Sequence, residues 1–203
     1  MYEFSIAMAL VDFVPVALFG ISAVLLLQDL YGKMGKGAYA CFAAGTVNVF
    51  CAGFLKAVWK LLYAAGICDF HVLNTMFLPV QSIGFLLLGI GLVGMFCKKK
   101  QAVLPAAPPV FGGSMVFIAC MVAGLGCLCT CLGILAAKMK RKGLIVLMVL
   151  AFAAYMGMGY MSSQDSTSAA VNWIEQGINC LGQTLLLAGV WILHKAGLKT
   201  FEI

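Results

Sequence analysis

The chain has 203 residues, of which 64% are hydrophobic and 10% are charged, and it carries a formal net charge of +6. Soluble domains contain about 45–50% apolar and about 25% charged residues, so this chain lacks the polar surface that a water-soluble domain needs. Composition therefore excludes a cytosolic enzyme, a nucleic-acid-binding protein and a disulfide-rich secreted domain. It predicts an all-α polytopic integral membrane protein whose main partners are membrane lipids.

Long apolar runs mark the predicted spans in chain order. A spanning helix needs about 20 mostly apolar residues. Five runs meet this requirement, at residues 4–28, 37–65, 72–97, 143–162 and 169–193. A further run at 101–137 is long for one span and short for two. Its part 114–137 predicts a helix, whereas 101–113 carries three prolines, so we expect six or seven transmembrane helices in one domain over 1–203.

The basic residues between the spans indicate an orientation, because Lys and Arg are enriched at cytoplasmic ends. The eleven in question are Lys33, Lys36, Lys98, Lys99, Lys100, Lys138, Lys140, Arg141, Lys142, Lys195 and Lys199. Seven crossings place them all on one side, which predicts a plasma-membrane protein with its N-terminus outside and its C-terminus in the cytoplasm. Six crossings split them between the two sides, as in a dual-topology protein, and this alternative stays open because 101–137 is short.

A weak internal repeat supports the seven-crossing arrangement. A shift of 98 residues aligns the third span with the last, and the matching positions are Asn74, Gly84, Leu87, Leu88 and Gly91 with Asn172, Gly182, Leu185, Leu186 and Gly189. The match predicts repeat halves 1–100 and 111–203, joined by the Pro-rich connection 101–113. Two three-helix repeats would then lie in parallel, in a 3+1+3 arrangement known from transporters.

Four ionisable side chains fall inside the predicted spans: Asp12, Lys56, Lys60 and Glu175. An ionised group in hydrocarbon costs several kcal/mol or more unless it is paired or reaches the interface, and two acids with two bases favour pairing. In the seven-crossing topology all four lie in the outer half of the membrane. The sequence therefore predicts an outward-facing polar cavity.

The predicted substrate-binding residues are Lys56, Glu175, Asp12, Lys60, Asn172, Asn179, Gln81 and Trp59. Lys56 is expected to bind an anionic or carbonyl group, with Glu175 or Asp12 as its counter-ion in the empty state. Alternatives stay open at three positions. Lys60 is close enough to a span end to reach the headgroups, Asp12 lies near the interface if its span begins later, and Trp59 fits an interfacial aromatic belt.

Several other sequence patterns do not predict a catalytic or metal-binding site. The nine cysteines do not match a zinc or iron–sulfur spacing, and Gly124, Cys127 and Cys131 share one helix face, which predicts a packing seam. His71 and His194 are predicted at the surface or interface. The chain has no recognisable catalytic constellation, so we expect no metal and no cofactor, and we favour a protein that is not an enzyme.

These features favour a membrane transporter or channel for a small polar or anionic solute. The alternative is a membrane-embedded sensor or accessory subunit without transport activity, in which the polar cluster only holds the helices together. Assembly as a homo-oligomer or with a partner membrane protein is left open, and nucleic acid is excluded as a partner.

Overall fold

The computed structural model describes residues 4–96, 114–161 and 168–202, and within these ranges it contains helices and connecting turns but no strand. The helices are α1 (Ile6–Val11), α2 (Phe13–Leu30), α3 (Lys36–Ala64), α4 (His71–Thr75), α5 (Phe77–Phe96), α6 (Ser114–Lys138), α7 (Gly143–Met161) and α8 (Ala169–Lys195).

The described residues contain six segments that are long and apolar enough to cross a membrane. They are Ile6–Leu30, Lys36–Ala64, His71–Phe96, Met115–Lys138, Gly143–Met161 and Ala169–Lys195. Each corresponds to a run predicted from the sequence, with ends that differ by at most two residues. The described residues are therefore all-helical, as predicted, and their six long apolar helices are consistent with a polytopic membrane protein. The predicted Pro-rich connection 101–113 lies outside the described residues, as do Lys98, Lys99 and Lys100.

The helices form a ring in the order α2, α3, α5, α6, α7 and α8, and α8 packs back against α2. Contacts along the helices give their directions. Phe85 of α5 lies beside Gly124 of α6, and the Lys138 ammonium lies 5.4 Å from the Phe96 ring centroid, so α5 and α6 run parallel. Asp12 contacts Gln176 near the start of α2 and α8, and Asp29 contacts His194 near their ends, so these two helices are also parallel.

The two ends of the bundle differ in charge. The helices α2, α5, α6 and α8 share one direction, whereas α3 and α7 run the opposite way. Within the described ranges, every basic residue other than Lys56 and Lys60 lies where the four parallel helices end or α3 and α7 begin. We call this the basic end. Because α5 finishes there and α6 starts at the opposite end, the two termini that residues 97–113 connect lie at opposite ends of the bundle.

Proline interrupts the first and third spans at equivalent places. α1 ends at Val11 and α4 ends at Thr75, each four residues before a proline, Pro15 or Pro79. Proline has no N–H to bond the carbonyl four residues earlier, so the helix breaks at that point. The first break leaves Asp12 as the residue that joins two helical segments.

Glycines allow the closest helix contacts. A Cβ added to Gly45 of α3 would lie 2.4 Å from the backbone nitrogen of Leu88, and one on Gly124 of α6 would lie 2.3 Å from the carbonyl carbon of Phe85. Only a residue without a side chain permits such backbone approaches. The predicted seam through Gly124 and Cys127 is confirmed, because Gly89 of α5 packs against both residues.

Apolar side chains fill the bundle toward the basic end. The core there includes Leu30, Phe42, Leu92, Leu132, Leu135, Val190, Leu193 and Leu198, all 0–1% exposed. The half of the bundle away from the basic end contains the buried polar side chains Asp12, Lys60, Asn172 and Gln176, and the candidate site lies in that half.

Candidate functional site

Asp12 and Lys60 form a buried ion pair between the first and second spans. The Lys60 ammonium lies 2.9 Å from a carboxylate oxygen of Asp12, and the two residues are only 7% and 9% exposed. Gln176 of α8 donates a hydrogen bond to the other Asp12 oxygen. Lys60 also donates to the Asn172 side-chain oxygen at 3.5 Å. The pair thus has the additional hydrogen bonds that buried charges require.

The position of Lys60 decides between two interpretations of its sequence, a lysine that reaches the headgroups and a lysine of the polar cavity. The stem of a lysine near a span end often extends so that its ammonium reaches the headgroups. Here the Lys60 side chain is directed into the bundle, where Asp12 and Asn172 hold it. Asn172 is itself fixed, because its side-chain amide donates to the Ser168 carbonyl oxygen at 2.9 Å. Lys60 and Asn172 therefore belong to a connected polar network inside the protein.

Lys56 lies one turn before Lys60 on α3 but has different surroundings. Its ammonium lies 4.1 Å from the centroid of the Phe77 ring, a cation–π contact. Among the residues that the structure describes, no oxygen acceptor lies within hydrogen-bond distance of it. The carboxylates of Glu175 and Asp12 both attract this ammonium through space, Glu175 the more strongly. The neighbouring Lys60 ammonium repels Lys56, so within the described residues Lys56 has through-space interactions with three charged groups and no hydrogen bond to any of them.

A polar cavity of about 610 Å³, its open mouth included, lies beside Lys56. It is bounded by the break at Asp12 and by α2, α3, α5, α7 and α8. Its polar lining consists of Asp12, Lys56, Lys60, Gln81, Glu175, Gln176, Asn179 and Gln183. The apolar lining includes Phe19, Phe50 and Phe77. A concave space with a few converging polar groups and aromatic walls is the usual form of a small-molecule site.

The structure brings six of the eight predicted site residues to this cavity: Asp12, Lys56, Lys60, Gln81, Glu175 and Asn179. Asn172 lies just behind it, where it holds Lys60. Trp59 is not among the residues that line the cavity. It is 1% exposed, its indole N–H donates to Asp69 at 2.9 Å, and its ring packs edge-on against Phe4 and His71.

The predicted site left out the polar cavity residues Gln176 and Gln183 and the aromatic residue Phe77. Gln176 and Gln183 fall on the polar stripe of α8, so the helical periodicity was sufficient to include them beside Glu175 and Asn179. Phe77, whose ring contacts Lys56, has no such signal, because a phenylalanine in an apolar run is indistinguishable from lipid-facing or core residues.

A second polar side-chain contact, at the basic end, was also missed. Asp29 is completely buried, and both its carboxylate oxygens lie 3.0 Å from Nδ1 of His194. The predicted first span stopped at residue 28, whereas α2 continues to Leu30 and takes Asp29 into the bundle. His194 was predicted at the surface or interface. Its side chain is 32% exposed and bridges α8 to α2. Lys33 reinforces this end by donating to the Phe201 carbonyl oxygen.

The described part of the chain contains no group of three or more His, Cys, Asp or Glu side chains that is suited to hold a metal ion. The polar cavity offers charged side chains and amide groups, which can bind a guest by charge and by hydrogen bonds.

No protein-family model matches the chain, and no curated protein or solved structure matches it at a significant level.

Proposed function

We propose that the protein is a membrane transporter for a small polar or anionic solute, which binds in the polar cavity with an oxygen acceptor on Lys56. The observation that carries the proposal is the contrast between two lysines one turn apart. Lys60 is held by Asp12 and Asn172, whereas the Lys56 ammonium faces the cavity without a hydrogen-bond acceptor in the described part of the chain. An ammonium removed from water gains most from an anionic or carbonyl guest.

The other cavity residues have complementary roles in this proposal. Glu175 supplies a negative charge that attracts the Lys56 ammonium through space in the empty site. An incoming anion replaces this through-space attraction with direct hydrogen bonds to the ammonium. Asn179 and Gln81 line the same cavity and offer amide donors and acceptors that orient a polar solute.

Two features favour a transporter over an open channel. The bundle toward the basic end is filled by apolar side chains such as Phe42, Leu92 and Leu193, so passage requires a change of conformation. In addition, the first and third spans are broken beside the cavity, at Asp12 and Met76. Discontinuous helices of this kind frame the substrate sites of many secondary transporters.

The helix directions support the seven-crossing topology. The described basic end would face the cytoplasm of the plasma membrane by the positive-inside tendency, which places the N-terminus outside and the C-terminus inside. The parallel course of α5 and α6 favours an odd number of crossings. A half-turn about the bundle axis would also carry α2, α3 and α5 onto α6, α7 and α8 with matching directions, as expected for parallel repeats 1–100 and 111–203.

The binding step is tested with purified protein in lipid nanodiscs and a panel of acetate, succinate, glutamate and inorganic phosphate. A solute at 100 times its Kd raises the free energy of unfolding by about 2.7 kcal/mol, which appears as a higher unfolding temperature. We expect at least one anion to stabilise the wild type and the control Lys199→Met, but not Lys56→Met. Uptake of that anion into proteoliposomes then tests transport.

The alternative function is that of a membrane-embedded sensor or accessory subunit, and one observation favours it. Asp12, Lys60, Asn172 and Gln176 form a connected network that links α2, α3 and α8 without any solute. If polar packing is the purpose of the whole cluster, Lys56→Met should destabilise the empty protein as much as Lys60→Met, and no panel anion should distinguish Lys56→Met from the wild type. That result would replace the transporter proposal.

A further inference from the structure

A second, larger cavity adjoins the polar cavity. It lies between α5, α6, α7 and α8 and has about 1410 Å³ of empty space, its open mouth included. Lys56, Phe77, Gln81, Asn179 and Gln183 line both cavities, so the two spaces meet at the lysine that we assign to solute binding. We call the second space the apolar chamber.

The walls of the apolar chamber are mainly hydrophobic away from Lys56. They include Phe85, Ile118, Met121, Leu125 and Met156. Methionine side chains are flexible and polarizable, so they adapt to apolar guests of different shapes. Cavities with apolar walls and a few fixed polar groups are typical of sites for organic molecules rather than for inorganic ions.

Two polar atoms at the chamber lack partners. The Tyr155 hydroxyl and the Gln183 side-chain oxygen are the buried side-chain polar atoms without a hydrogen bond in the described residues, and both residues line the chamber. The residues are 6% and 8% exposed. A buried polar atom without a partner costs free energy, which a guest with a matching donor or acceptor recovers.

We infer that the solute is an amphipathic organic anion. Its charged group binds Lys56 in the polar cavity, its apolar body occupies the apolar chamber, and a hydroxyl or similar group on that body bonds Tyr155 or Gln183. The inference rests on the proposed function in taking Lys56 as the anion ligand. It adds the size and chemistry of the remainder of the solute.

The test compares acetate, benzoate, 3-hydroxybenzoate and 4-hydroxybenzoate on the protein in nanodiscs. Dissociation constants come from the rise in unfolding temperature with solute concentration. Burial of the ring in the chamber should make benzoate bind at least about tenfold more tightly than acetate. Val122→Trp on α6 fills the chamber and should remove this preference, while the matched control Val116→Trp, at an exposed α6 position, should retain it.

Tyr155→Phe provides a second variant that does not depend on a bulky substitution. Because the hydroxyl has no partner in the empty protein, its removal should leave the unfolding temperature unchanged or raise it. The preference for the better hydroxybenzoate over benzoate should fall by about fivefold, the value of one hydrogen bond, while benzoate affinity stays the same.

The outcomes separate the two proposals. If acetate binding depends on Lys56 but benzoate binds no more tightly and Val122→Trp has no effect, the solute has no apolar body and this inference is overturned, whereas the proposed function stands. If no anion in either panel binds in a Lys56-dependent way, the proposed function fails and the inference fails with it.

Discussion

Lys56 and Lys60 lie one turn apart on α3, but only Lys60 has a salt-bridge partner in the part of the chain that the structure describes, the Asp12 carboxylate at 2.9 Å. Lys56 instead contacts the Phe77 ring and faces the polar cavity. Two identical side chains in one helix therefore have different physical roles. Lys60 is held inside the bundle by its ion pair, and Lys56 is the residue that we propose binds a solute.

The first prediction concerns this division of roles. Lys60→Met leaves the buried Asp12 carboxylate without its counter-ion, so we expect the free energy of unfolding to fall by about 3 kcal/mol. Lys56→Met removes one cation–π contact and should cost about 1 kcal/mol or less. Thermal unfolding in nanodiscs measures both. The double variant Asp12→Asn with Lys60→Met should recover part of the loss, and strict additivity of the two changes would contradict a direct pair.

The second prediction concerns the seven-crossing topology. In a variant without native cysteines, single cysteines at Lys99, Lys140 and Lys199 should react with a membrane-impermeant maleimide from one side of the membrane. A cysteine at Ile67, an exposed residue at the opposite end, should react from the other side. Because α5 and α6 are parallel, Lys99 is the decisive position. Labelling of Lys99 and Lys140 from opposite sides would refute the proposed topology.

The third prediction concerns the close packing of α5 and α6. Gly124→Ala places a Cβ 2.3 Å from the Phe85 backbone, which cannot move as a flexible side chain can. The helices must separate, so we expect a loss of about 1–3 kcal/mol in unfolding free energy. Gly133→Ala on the same helix is the control, because its Cβ meets no atom within 4 Å. The control should be neutral or slightly stabilising. Equal losses would show that the seam does not set the helix separation.

The fourth prediction concerns the contact that joins α2 and α8 at the basic end. His194→Ala leaves the fully buried Asp29 without this partner, so we expect unfolding to become easier by about 1–3 kcal/mol. His71→Ala at the other end of the bundle removes an exposed ring that packs edge-on against Trp59 and should cost less. Chemical unfolding of both variants gives the comparison. A larger loss at His71 would contradict a structural role for the Asp29–His194 contact.

Much of the architecture follows from local sequence, because a membrane span needs only length and hydrophobicity, and both are visible in one run of residues. The six described spans were predicted to within one or two residues at each end. Polar periodicity on α8 also identified Glu175 and Asn179 as cavity residues, since residues three or four apart share a face. The excess of Lys and Arg between particular spans indicated which ends would lie together.

The tertiary structure determined which polar and charged side chains contact each other. From the sequence, Asp12 was predicted as a possible counter-ion of Lys56, whereas the structure pairs it with Lys60. The break before Pro15 and the direction of α8 place it between Lys60 and Gln176. The Asp29–His194 contact joins residues far apart in the chain, and it exists because α2 and α8 run parallel. Hydrophobicity favours placing each helix in the membrane, but lipid is apolar on every side and does not select a face of the helix. Packing, glycine contacts and buried polar pairs therefore determine which helix faces meet.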